Sequence, residues 1–187
     1  TVRNGDIATG DGGGIYAAGA LTLTNAAVTG SSTGSGSGGG IYVRGPLTLA
    51  NAEVMSNTAG STGVVFGGAI YAVSAVHATG GTIQNNLADT TALNANAYGG
   101  GLYASATAAL TGTRFVGNMA RTYNTGGGAY GAQALGGGVY ANGALTVEAV
   151  VPNQSGDLKP GLFATARIEQ PEKVPAVLVP TSAVLTQ

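Results

Sequence analysis

The chain has 187 residues, with 7 Lys and Arg against 8 Asp and Glu, a formal net charge of -1, 34 glycines and no cysteine. This balance leaves no basic stripe for nucleic acid and no attraction to anionic membranes. Without cysteine there are no disulfides and no thiolate metal sites, which fits export to an oxidising compartment. Charged residues make up 8% of the chain, where a soluble domain has roughly 25%, and 44% of residues are apolar, enough for a core. Each interior glycine costs a helix roughly 1 kcal/mol, while the abundant Thr, Val, Asn and Ser suit strands and turns. No apolar run reaches the about 18 residues of a helical membrane span. The chain begins at Thr1 rather than Met, the pattern of a processed or partial sequence.

In chain order, Thr1-Val2-Arg3-Asn4 reads as the tail of a coil, and the first full motif is Gly12-Gly13-Gly14-Ile15-Tyr16. It returns as Gly38-Gly39-Gly40-Ile41-Tyr42, Gly67-Gly68-Ala69-Ile70-Tyr71, Gly99-Gly100-Gly101-Leu102-Tyr103 and Gly136-Gly137-Gly138-Val139-Tyr140. Five copies identify an internal repeat. The fifth residue after each tyrosine is Leu21, Leu47, Val76, Ala108 or Leu145. The twelfth, in the first four copies, is Val28, Val54, Ile83 or Phe115, and three residues later stand Ser31, Asn57, Asn86 and Asn118, of which the asparagines are turn formers. The tyrosines are separated by 26, 29, 32 and 37 residues, and all the growth falls in connectors at 31–37, 58–66, 87–98 and 119–135. A fixed apolar frame with one variable corner is the signature of a solenoid coil.

Leu21-Thr22-Leu23-Thr24 and Leu47-Thr48-Leu49-Ala50 alternate apolar and small or polar residues with period two, the pattern of half-buried strands. The glycine clusters suit corners with positive φ or close approach of stacked backbones. The expected fold is all-β: a right-handed parallel β-helix of about five coils, about three short strands per coil, stacked at roughly 4.8 Å into a rod of about 24 Å. The motif with its Leu-Thr-Leu strand and turn, most closely Phe115-Val116-Gly117-Asn118, resembles the repeats of polymorphic outer-membrane proteins and autotransporter passengers. The resemblance covers residues 1–146 and implies a secreted or outer-surface location.

From Val147 prolines and charges become denser. The stretches Val147-Glu148-Ala149-Val150-Val151-Pro152-Asn153, Leu158-Lys159-Pro160-Gly161-Leu162-Phe163-Ala164 and Val177-Leu178-Val179-Pro180-Thr181-Ser182-Ala183-Val184-Leu185 are similar to the β-barrel end of periplasmic adaptor subunits of tripartite efflux pumps. That resemblance implies a β-strand extension over 147–187 and, as a second reading, a periplasmic component or fusion of such an adaptor. The lipoyl-like domain and helical hairpin of a working adaptor have no room here.

No catalytic, metal or cofactor site is expected. The acids of the coil region, Asp6, Asp11, Glu53, Asp89 and Glu148, share no frame position, whereas paired-carboxylate glycosidase chemistry needs two groups about 5–10 Å apart. A polysaccharide-active enzyme, the activity of some β-helices, is therefore the least favoured reading. His77 is the only histidine and reads as a surface strand residue. Gly34-Ser35-Gly36-Ser37-Gly38-Gly39 matches a phosphate-cradle spacing formally, but with no strand before it and no helix after it a flexible loop is expected. Calcium-repeat spacing is absent around Asp6 and Asp11. Thr22, Thr24 and Thr48 begin a threonine rank that His77 and Ala109 interrupt.

The residues expected to carry the repeat are Gly13, Gly39, Gly68, Gly100 and Gly137, Tyr16, Tyr42, Tyr71, Tyr103 and Tyr140, Leu21, Leu47 and Asn118. Strand neighbours face opposite ways, so burying the aliphatic partner places the tyrosines in an outer ladder, stacked on one another or on sugars. The expected function is a non-catalytic, exported structural or adhesive β-helix, self-assembling end to end, or binding a host or cell-surface protein or glycan through its connectors.

Overall fold

A computed structural model of the chain describes residues 1–123 and 132–148. The compact unit Thr1–Val150 is a parallel β-solenoid, and Val151–Gln187 forms a second unit outside the described residues. The described residues hold strands only, and none of their segments is a helix long and apolar enough to cross a membrane. The adaptor resemblance over 147–187 lies outside them, apart from Val147 and Glu148, which continue the solenoid's last described strand.

Three sheets enclose the main core. The tyrosine sheet stacks Ile15–Ala17, Ile41–Val43, Ile70–Ala72, Leu102–Ala104 and Val139–Ala141. The leucine sheet stacks Leu21–Thr24, Leu47–Ala50, Val76–Thr79, Ala108–Thr111 and Leu145–Glu148. The valine sheet stacks Val2–Arg3, Ala27–Thr29, Glu53–Met55, Thr82–Gln84 and Arg114–Val116. All pairs are parallel, and the motif positions meet in register: Tyr16 on Tyr42, Tyr42 on Tyr71, Tyr71 on Tyr103, Tyr103 on Tyr140. Five motif copies bound four intervals, so the solenoid has about four turns rather than five.

Alternation decides what fills this prism. Ile41, Leu47, Val54, Ile70 and Leu102 are fully buried in one cluster with Val28, Val76 and Ile83, each column stacking apolar side chains from coil to coil. Outward residues of the leucine sheet, including the exposed His77 between Thr48 and Ala109, are small or polar. Corners turn through left-handed residues. The one after the leucine sheet uses Asn25 (φ 48°), Asn51 (φ 49°), Gly80 (φ 63°) and Gly112 (φ 63°), which explains the exchange of Asn for Gly there.

Coils contain four strands and then five, not three. A fourth sheet stacks Asp6–Ile7, Ser32–Thr33, Thr58–Ser61, Leu87–Leu93 and Met119–Tyr123. A short sheet adds Val65–Phe66, Ala97–Tyr98 and Ala134–Leu135. The connectors at 58–66 and 87–98, expected to be loops, are thus largely strands, and the described residues of those at 31–37 and 119–135 pair with them, with a register shift between Thr90 and Leu93. They build a side lobe with its own core of Ala59, Val65, Ala88 and Ala97. The expected flexible loop at Gly34–Gly39 is likewise stacked: Gly34 N donates to Ile7 O at 2.8 Å, Gly36 N to Gly60 O at 2.9 Å and Gly38 N to Phe66 O at 2.9 Å.

Candidate functional site

The repeat residues divide by task. Gly13, Gly39, Gly68 and Gly100 lie where the tyrosine-sheet corner of one coil crosses the backbone of the next. A Cβ on Gly68 would overlap the Gly100 carbonyl oxygen and the backbone between Leu87 and Ala88. Gly137 meets only Asn118 O, at 3.2 Å from such a Cβ. Leu21 and Leu47 belong to the interior column of the leucine sheet, Leu47 fully buried and Leu21 half-buried.

Asn118 and its equivalents are not turn residues but a buried ladder. Asn57 Oδ1 accepts from Ser31 N at 2.9 Å, Asn86 Oδ1 from Asn57 N at 2.9 Å and Asn57 Nδ2 at 3.0 Å, and Asn118 Oδ1 from Asn86 N at 3.1 Å and Asn86 Nδ2 at 2.8 Å. The amide nitrogens also donate to Val28 O, Val54 O and Ile83 O. The turn itself lies one residue earlier, at Asn4, Gly30, Ser56, Asn85 and Gly117, all with positive φ. Ser31 and Asn57 are 0% exposed and Asn86 1%, and the amide groups of the buried asparagines are satisfied by the coils on either side.

The tyrosines form an aromatic ribbon on the outer side of their sheet. Neighbouring centroids are 5.1 Å apart for Tyr16–Tyr42, 5.0 Å for Tyr42–Tyr71, 5.1 Å for Tyr71–Tyr103 and 5.4 Å for Tyr103–Tyr140. The first and last pairs are parallel, with interplanar angles of 5° and 3°, and the middle two edge-on, at 86° and 78°. Phe66 and Tyr98 of the short sheet, which sequence reasoning missed, pack onto this ribbon: Phe66 is 4.7 Å from Tyr103 and Tyr98 5.0 Å from Tyr140. Tyr42 and Tyr103 are buried, and most ring faces are spent on other rings, which stabilises coil stacking by about 0.5–1.5 kcal/mol per pair.

The phenol oxygens are held from the next outward column. Arg44 is hydrogen-bonded to Tyr42, and this contact, with the nearby Tyr16 and Tyr42 phenols, holds the guanidinium above its usual pKa. Asn142 Nδ2 donates to Tyr103 Oη at 3.2 Å, and Asn96 Nδ2 to Tyr98 Oη at 2.9 Å. Burial raises the Tyr103 pKa above 10.0, against a hydrogen bond with Ser105 that lowers it.

The acids are dispersed on the outside. Asp6 Oδ1 accepts from Ser32 Oγ at 2.7 Å, Asp11 Oδ1 from Ser37 N at 2.8 Å, Glu148 Oε2 from Thr111 Oγ1 at 3.2 Å. Asp89 takes a two-pronged pair from Arg121, Nε to Oδ1 at 2.9 Å and Nη2 to Oδ2 at 2.6 Å. Glu53 borders a shallow groove of about 290 Å³ with Thr1, Asn25 and Asn51. Among the described residues no three His, Cys, Asp or Glu side chains are grouped to hold a metal ion.

The side lobe is where coils differ. Thr90 Oγ1 ties its coil to the preceding one by donating to Gly63 O at 2.6 Å, Ser61 Oγ closes a local turn by accepting from Gly63 N at 2.9 Å, and the lobe leaves Val64, Leu93 and Tyr123 exposed. No family model, curated protein or solved structure matches the chain.

Proposed function

We propose that the chain is a non-catalytic, exported structural or adhesive rod that recognises a surface protein or glycan through its side lobe. The observation that carries this reading is the location of growth. Successive coils lengthen while the tyrosine, leucine and valine sheets keep one register, and the added residues extend the lobe and its apolar tips Val64, Leu93 and Tyr123. A rigid scaffold with variation confined to one side suits display of recognition residues. The scattered acids, which share no frame position, support the non-catalytic part.

The test is to replace Val64, Leu93 and Tyr123 together by serine and to measure binding of labelled protein to cell surfaces and to immobilised glycans and surface proteins. Retained strand circular dichroism with lost binding is expected. Unchanged binding would remove recognition from the lobe.

A further inference from the structure

We propose that the stacked pairs Tyr16–Tyr42 and Tyr103–Tyr140 are sites of oxidative cross-linking, at which a carbon–carbon dityrosine bridge joins consecutive coils. The four neighbour pairs of the ribbon have nearly one spacing, 5.0 to 5.4 Å, but two geometries. In a parallel pair the ring carbons ortho to the phenol oxygens lie alongside each other, and a small slide joins them. In the edge-on pairs Tyr42–Tyr71 and Tyr71–Tyr103 the rim of one ring faces the plane of the other, so the two ortho positions do not meet.

No cysteine or tryptophan competes with the tyrosines for one-electron oxidation, and the exposed Met119 takes up oxygen separately as sulfoxide. The chain has 8 tyrosines, no cysteine and no tryptophan, and its 2 methionines, Met55 and Met119, lie on the valine and fourth sheets. Cysteine and methionine are the usual first targets of oxidants. In each parallel pair the inner ring is buried, and the phenol of Tyr103 accepts from Asn142 Nδ2 at 3.2 Å. The outer rings, Tyr16 and Tyr140, are exposed and half-buried.

The reaction uses a haem peroxidase with hydrogen peroxide as oxidant. Each phenol of a pair gives up one electron and one proton, the two radicals join through their ortho carbons, and the two ring hydrogens at the new bond move to the oxygens to restore both phenols. The two hydrogen atoms removed reduce one peroxide to two waters. The product is a coil-to-coil covalent tie in a chain without disulfides, and like a disulfide it restricts the unfolded ensemble.

Trypsin separates the four bridges along the ribbon, because cleavage follows Arg3, Arg44, Arg114 and Arg121, and fragment sequencing distinguishes Tyr103 from Tyr98, which also lies 5.0 Å from Tyr140. A Tyr16–Tyr42 bridge closes a loop inside peptide 4–44, and Tyr103–Tyr140 joins peptide 45–114 to the one beginning at 122. Tyr42–Tyr71 would join 4–44 to 45–114, and Tyr71–Tyr103 would loop within 45–114. The full chain is treated with peroxidase and peroxide at low protein concentration, the monomer is digested, and the peptides are sequenced by tandem mass spectrometry. The first two products are expected, each lighter by two hydrogen atoms. Tyr42→Phe, which keeps the stacked ring, removes the first alone, and Tyr103→Phe the second alone. Comparable yields of the Tyr42–Tyr71 or Tyr71–Tyr103 bridge, bridges only between copies of the chain, or no dityrosine fluorescence would each overturn the assignment.

Discussion

In the prism, Leu47, Ile70 and Leu102 are fully buried in columns made mostly of Leu, Ile and Val, and every coil contributes the same positions. In the side lobe the buried apolar cluster is Ala59, Ala88, Ala97 and the single larger Val65, and it begins only where the coils lengthen. Burial of apolar area scales stability at roughly 25 cal/mol per Å², so the lobe gains far less per residue than the prism. The prism also carries a continuous buried asparagine ladder, whose removal exposes buried donors, whereas the lobe's coil-to-coil side-chain contacts are isolated, such as Thr90 to Gly63 and the exposed Arg121 to Asp89. The same parallel stacking therefore serves two ends: a register that tolerates no change and an extension that can grow.

The sharpest break in this contrast is expected at Gly68. Gly68→Ala places a methyl group into the backbone of the next coil and should cost about 4 kcal/mol or abolish folding, read from urea denaturation. Asn86→Ala removes the acceptor of two bonds from Asn57 and two donors to its neighbours, and should cost about 3 kcal/mol in the same assay. In the lobe, Ala88→Gly should cost about 1 kcal/mol, with binding of the lobe affected more than the global midpoint. Comparable losses at Ala88 and Asn86 would remove the distinction between the two regions.

Two smaller effects concern charge. Tyr103 is neutral when protonated, and its raised pKa in the folded state means that it binds its proton more tightly there than in the unfolded chain. Its contribution is fully present below the unfolded value of 10.0 and is lost as pH rises through the higher folded value. The thermal midpoint should therefore fall as pH rises from 10.0 through that higher value, and Tyr103→Phe should lessen the fall and delete the late-ionising phenol from an ultraviolet titration. The Asp89–Arg121 pair lies on the lobe with Arg121 well exposed, so Asp89→Asn should cost about 0.5 kcal/mol or less and only at low salt.

The solenoid was legible because its strongest signals are local and repeated. The Gly-Gly-x-aliphatic-Tyr corner, the Leu-x-Leu alternation and the fixed offsets to Val28, Val54, Ile83 and Phe115 each report a position that must stack on itself. The short sheet was not legible, since Val65–Phe66, Ala97–Tyr98 and Ala134–Leu135 are two-residue strands inside segments of unequal length. Phe66 and Tyr98 were missed with it, although each directly precedes a glycine cluster, a register shared with Ser37 and Leu135. The asparagines were misread because isolated Asn favours turns. Their constant spacing from the core aliphatic was the available sign of burial, and the neighbouring Ser56, Asn85 and Gly117 take the turn instead.

Native-state hydrogen exchange tests the division between prism and lobe most directly, since it ranks segments of one molecule by opening free energy. The amides of Ile41, Asn57, Ile70, Asn86 and Leu102 are bonded between coils or to the ladder and should exchange only through global unfolding. Those of Val65 and Ala97, bonded between coils in the short sheet, should exchange earlier, as one group, without loss of protection in the prism. Equal protection of the two sets, or earlier exchange in the prism, would contradict the account.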